Sequence, residues 1–73
     1  MNKLEVSKLL TAISTYDNRK IAQETVEAWY LTLKDLGYEE ASQAVVLHFQ
    51  KSTNWLLPAQ IRYNVQIVRD NVQ

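Results

Sequence analysis

The run TVEAWYLTLKDLGYEEASQAVVLHF, residues 25–49, decides the fold. Val26, Trp29, Tyr30, Leu33 and Leu36 recur at spacings of three and four, which draws one apolar stripe along a helix. Gly37 interrupts the pattern, and Ala41, Ala44, Val45, His48 and Phe49 then resume it. Neither half alternates with a period of two, so neither reads as a strand. The spacing predicts helices over residues 22–36 and 39–51. Gly37 is expected at the C′ position of the first, where it adopts a left-handed conformation without steric cost. Glu24 and Glu27 near one start, Lys34 near one end, and Glu39 and Glu40 in the next first turn all suit the helix dipole. Ala41 and Ala44 on one face predict a close approach to a neighbouring helix.

The same spacing extends outward. Val6, Leu9, Leu10, Ile13 and Tyr16 predict a helix over residues 3–16, with Asn2 as its N-cap and Asp17-Asn18 as its stop. Pro58 suits the first position of a last helix running to about residue 70, striped by Ile61, Val65, Val68 and Val72. Between the third and fourth helices, Ser52-Thr53-Asn54 is turn chemistry, and Trp55-Leu56-Leu57 is an apolar run. Leu57 is expected to pack on Ile61 as a hydrophobic staple, with Trp55 and Leu57 turned inward and Leu56 exposed. The expected fold is all-α: a compact bundle of four short helices forming a single domain over residues 1–73. Short connections predict antiparallel neighbours. The expected core is Leu9, Leu10, Ile13, Val26, Trp29, Leu33, Ala41, Val45, Phe49, Leu57, Ile61 and Val65.

Composition narrows the function. At 73 residues the chain has room for one small core, and without cysteine it has no disulfide, thiolate metal site or cysteine nucleophile. No apolar run approaches membrane-spanning length, and no hydrophobic stretch follows the N-terminal lysines as in a signal peptide. A cytoplasmic location in a bacterial host is expected. The formal charge is zero, whereas duplex-DNA binders usually carry a basic excess. The ends are mildly basic and the middle, with Glu24, Glu27, Asp35, Glu39 and Glu40, is acidic.

No catalytic, cofactor or metal site emerges. His48 is the one histidine, and zinc needs three or four ligands. The Asp35, Glu39 and Glu40 carboxylates surround a helix start, where they are stabilised electrostatically without any acid–base role. Most aromatic rings fall on inner faces. A helix-turn-helix over Leu33–Leu47 would present Glu39-Glu40 to phosphates, which opposes DNA binding. Phosphate-loop, nucleophile-elbow and metal spacings do not occur, so the expected role is non-enzymatic.

Residues 25–62 carry a resemblance. Trp29 with Leu33, Tyr38 with Ala41, Ala44 and Val45, the pair His48-Phe49, and Pro58-Ala59-x-Ile61 resemble the phage replicative-helicase loader/inhibitor family and related short phage proteins. The resemblance implies an all-helical protein that binds the hexameric replicative helicase, helps deliver it to an origin complex and restrains its activity. In that family a flexible C-terminal extension touches the helicase. This sequence has only a few residues beyond the expected fourth helix, so no family binding residue maps onto it.

On the residues themselves, a protein-interaction module is expected to use Asp35, Glu39, Glu40, Trp55 and Leu56. An alternative is a small nucleic-acid-binding regulator using Lys3, Lys8, Arg19, Lys20, Arg62 and Arg69, which form one basic face if the first and last helices lie side by side. A third is an assembly protein that pairs with copies of itself.

Overall fold

The computed structural model describes residues 1–71 and contains four helices: α1 Lys3–Asp17, α2 Gln23–Leu33, α3 Tyr38–Lys51 and α4 Pro58–Asp70. No strand occurs among the described residues. Val72 of the expected α4 stripe lies outside them.

Helix α1 begins as its sequence dictates. Asn2 Oδ1 accepts from the Glu5 N–H at 2.8 Å, and Glu5 Oε1 accepts from the Asn2 N–H at 3.0 Å. This reciprocal capping box satisfies two N–H groups that the helix cannot. At the other end Asn18 takes the left-handed conformation, φ 57° and ψ 31°, and its N–H returns to the Ser14 carbonyl at 2.8 Å. Asparagine tolerates that conformation better than most residues.

Two boundaries differ from expectation. Helix α2 stops at Leu33, and Lys34 to Leu36 continue as a tight turn closed by the Leu36 N–H on the Leu33 carbonyl at 2.9 Å. Gly37 is therefore the N-cap of α3, with an extended backbone at φ −79° and ψ 148°, and not a left-handed C′ residue. Its N–H donates to Glu40 Oε2 at 2.9 Å. A Cβ there would meet only the Glu40 side chain, at 3.6 Å and beyond, so the site does not require glycine.

The helices close into a ring in which α1 packs on α2 and α3, and α4 packs on α3 and α2. The sequential pair α2 and α3 does not pack together, because the turn at residues 34–37 carries the chain across the bundle. Helices α1 and α3 run in the same direction. The Met1 ammonium donates to the Lys34 and Leu36 carbonyls, both at 2.7 Å, just before α3, and Tyr16 at the far end stacks on Phe49 with centroids 4.2 Å apart.

The core joins Val6, Leu9, Leu10 and Ile13 of α1 to Trp29, Leu33, Ala41, Ala44, Val45, Ile61 and Val65, with Leu36 and Leu56 from the connections. Val26 and Phe49 are only partly buried at its edge. The α3–α4 contact is the most extensive, and it is where the small Ala41 and Ala44 lie fully buried. Asn64 of α4 is buried there: its Nδ2 donates to the Ala44 carbonyl at 3.2 Å, and its Oδ1 accepts from Gln60 Nε2 at 2.9 Å. A buried amide must be paired to avoid a desolvation penalty, and these bonds fix how far α4 slides along α3.

Candidate functional site

The apolar run at residues 55–57 takes the opposite orientation from the one expected. Leu56 is fully buried at 0 % exposure, whereas Trp55 and Leu57 are 57 % and 54 % exposed. The reason is local. Pro58 is the first residue of α4, so Leu57 is its N-cap, with an extended backbone at φ −121° and ψ 162°. Consecutive side chains in an extended segment point to opposite sides, so Leu56 can enter the core only if its neighbours leave it. The staple position is the residue before the N-cap. That residue is Leu56, which shares the core with Ile61, and not Leu57. Leu56 is therefore withdrawn as a contact residue, and Leu57 takes its place.

Trp55 is exposed but fixed. The Arg19 guanidinium lies 4.0 Å from the centroid of its ring, and 5.5 Å from that of Trp29. Arg19 is in turn clamped by Asp17: Nε donates to Oδ2 at 2.8 Å, and the backbone N–H donates to Oδ1 at 3.1 Å. The Arg19 side chain is only 6 % exposed. Burial pushes the Asp17 carboxyl up, but its bonds to Arg19 outweigh this and hold it below the usual carboxylate value. Arg19, placed by sequence among nucleic-acid contacts, thus joins the α1–α2 connection to the α3–α4 connection.

The rest of that connection is held from α3. His48 is buried, and its Nε2 donates to the Asn54 carbonyl at 2.7 Å. The Asn54 N–H donates to Ser52 Oγ at 3.0 Å. Trp55 stands as a wall between two clefts. One, of about 310 Å³, is lined by Tyr16, Phe49 and Thr53. The other, of about 390 Å³, is lined by His48, Leu57 and Gln60. No free carboxylate lines either cleft, since Asp17 is committed to Arg19.

The other expected contacts neutralise one another. Arg62 grips Asp35 with two bonds, at 2.7 and 2.9 Å, and also donates to the Thr32 carbonyl at 3.0 Å. Arg69 grips Glu40 at 2.9 and 2.7 Å. These fork-to-fork pairs tie α4 to the α2–α3 turn and to the start of α3. Of the acids named by sequence, only Glu39 is exposed without an ion pair among the described residues. Lys3 pairs with Glu27 at 3.1 Å and also lies over the Tyr30 ring. Lys8 and Lys20 alone of the six expected nucleic-acid contacts make no ion pair among the described residues. Helices α1 and α4 make no close contact, so the expected basic face is not assembled.

The forked pairs carry a pH prediction. The Arg69 guanidinium, with the Gly37 N–H, lowers Glu40 from 4.5 to about 2. The Arg62 guanidinium lowers Asp35 from 3.8 to about 2. A carboxylate depressed by folding adds stability that is fully present above its unfolded value and is lost as pH falls through its folded value. Stability is therefore expected to drop between pH 4.5 and about 2. Denaturant titrations across that window should show a smaller drop in Glu40→Gln; an equal drop would mean that the pair is not formed in solution.

A second apolar surface lies between α3 and α4, a groove of about 480 Å³ walled by Val46, Leu47, Ile67 and Val68. No group of three or more metal-ligating side chains occurs among the described residues, and no described helix is long and apolar enough to cross a membrane.

A family model described as the N-terminal domain of the phage gene 39 protein matches residues 1–58, which takes in α1 to α3 and the whole Trp55–Leu57 connection. Neither a curated protein nor a solved structure matches the chain. The family match covers well over half of the sequence and agrees with the helical architecture and with the resemblance carried by Trp29, Tyr38, His48-Phe49 and Pro58: the chain belongs to the family of the N-terminal domain of the phage gene 39 protein.

Proposed function

We propose that this chain binds a replicative DNA helicase, as a loader that keeps the enzyme in check until delivery, and that it acts by binding and not by turnover. The observation that carries the reading is the family match over residues 1–58, since the gene 39 protein is a helicase-binding loader-inhibitor. Two features of the site support it. The large exposed side chains Trp55 and Leu57 sit on a connection pinned by His48 and Arg19, which is how a rigid contact face is built. The histidine with acid–base potential is committed to holding that connection.

The test mixes the chain with the purified hexameric helicase of its phage or host and follows co-elution, ATP hydrolysis and unwinding of forked DNA. Co-elution with slowed hydrolysis and unwinding is expected. Separate elution at every concentration up to high micromolar, with helicase activity unchanged, would contradict the proposal. The nucleic-acid alternative is disfavoured by the pairing of Lys3, Arg19, Arg62 and Arg69 with carboxylates.

A further inference from the structure

The exposed apolar face around Trp55 has a charge signature of its own. The α1–α2 and α3–α4 connections meet at this end of the bundle through Arg19 and Trp55. Asp17 is neutralised by Arg19, and the remaining carboxylate nearby is Glu24, on the opening turn of α2. Lys20 and Lys51 are exposed and make no ion pair among the described residues. Lys51 ends α3 immediately before the connection, and Lys20 follows Arg19. The N-terminus of α4 also opens here, with Leu57 as an N-cap that supplies no side-chain acceptor, so the positive end of that helix dipole adds to the two lysines. The opposite end of the molecule differs: there Asp35, Glu40, Arg62 and Arg69 cancel in forked pairs.

We infer that the face formed by Trp55, Leu57, Lys20 and Lys51 receives an acidic segment of the helicase that carries an apolar anchor residue, the anchor filling one of the clefts beside Trp55. This rests on the helicase-binding reading and adds which surface is used and what chemistry the partner segment has. Each part of the face has a task. Trp55 is an indole with its orientation already set by Arg19, so docking against it loses little side-chain entropy. The clefts on either side have room for one aliphatic or aromatic side chain. The lysines and the α4 terminus attract carboxylates at the rim and repel a basic segment, which sets orientation and association rate more than final affinity.

The test measures helicase affinity for the full chain and for four variants, each first checked for native helicity. Trp55→Ala combined with Leu57→Ala should weaken binding by about ten-fold or more, as loss of a central aromatic anchor does. Lys20→Glu combined with Lys51→Glu should weaken it and flatten its salt dependence. Val46→Ser, in the α3–α4 groove, and Glu39→Gln should leave it unchanged. Binding that persists unchanged in the first two double variants would overturn this inference while leaving the helicase-binding function standing. Loss on Val46→Ser alone would move the interface to the α3–α4 groove and also overturn it. No helicase binding by any form would remove both readings together. Binding of single-stranded DNA that disappears in the Trp55 variant would mean that the indole stacks on bases, which again overturns the inference.

Discussion

Replacing Trp29 by alanine is expected to destabilise the chain by about 3–5 kcal/mol, the usual range for truncating a buried tryptophan, and to leave it largely unfolded at room temperature. Trp29 is buried on α2 and belongs to the shared core. Its ring also backs the Arg19 guanidinium that orders the two neighbouring connections. Removing it therefore opens a cavity and loosens the support of Trp55 in one step. A chain of this size has a total stability of only about 3–5 kcal/mol from its core, so the loss is comparable with the whole. Circular dichroism with denaturant titration is the measurement. A variant that keeps its helicity and loses less than about 1 kcal/mol would show that Trp29 is not a core residue.

Leu56→Ala should have an effect of similar size, about 2–5 kcal/mol for a fully buried leucine. The informative comparison is with its neighbour. Leu57→Ala should stay within about 0.5 kcal/mol of the parent, as most exposed substitutions do. Trp55→Ala should cost about 1 kcal/mol, the scale of the cation–π contact that it removes. This low–high–low pattern across three adjacent apolar residues follows from the extended backbone ahead of α4. The reverse pattern, with Leu56→Ala harmless and Leu57→Ala severe, would mean that the connection is out of register by one residue. The same series shows that Trp55 and Leu57 can be altered without unfolding the protein.

The architecture was largely readable from residue spacing. The stripes of α1 and α4, the Asn2 cap, the Asp17-Asn18 stop and the Pro58 start agree with the structure to within a residue or so. What escaped the sequence was decided by tertiary geometry. Gly37 suggested a left-handed cap, yet the chain ends α2 four residues earlier and uses Gly37 to start α3, with Glu40 reaching back to it. Leu57 and Leu56 are equally apolar, and their roles depend on a count from Pro58: N-cap and staple positions differ by one residue. The charged residues were the least legible. Asp35, Glu40, Arg62 and Arg69 stood apart in sequence as two separate surfaces, but α4 folds across the α2–α3 turn and pairs them. Arg19 gave no local sign that it would lie near two indoles, because one of them comes from the connection after α3. Asn64 interrupts the apolar face of α4, and its partner, the Ala44 carbonyl, is twenty residues away.

Everything functional turns on which end of the bundle meets its partner. The most direct measurement is a chemical-shift titration of isotope-labelled chain with unlabelled hexameric helicase. Shifts and line broadening are expected at Trp55, including its indole N–H, at Leu57 and Lys51, and at Asn18 to Lys20, with the Asp35–Arg62 and Glu40–Arg69 region unmoved. Changes centred instead on that paired region, or spectra that stay constant to the highest helicase concentration, would contradict it.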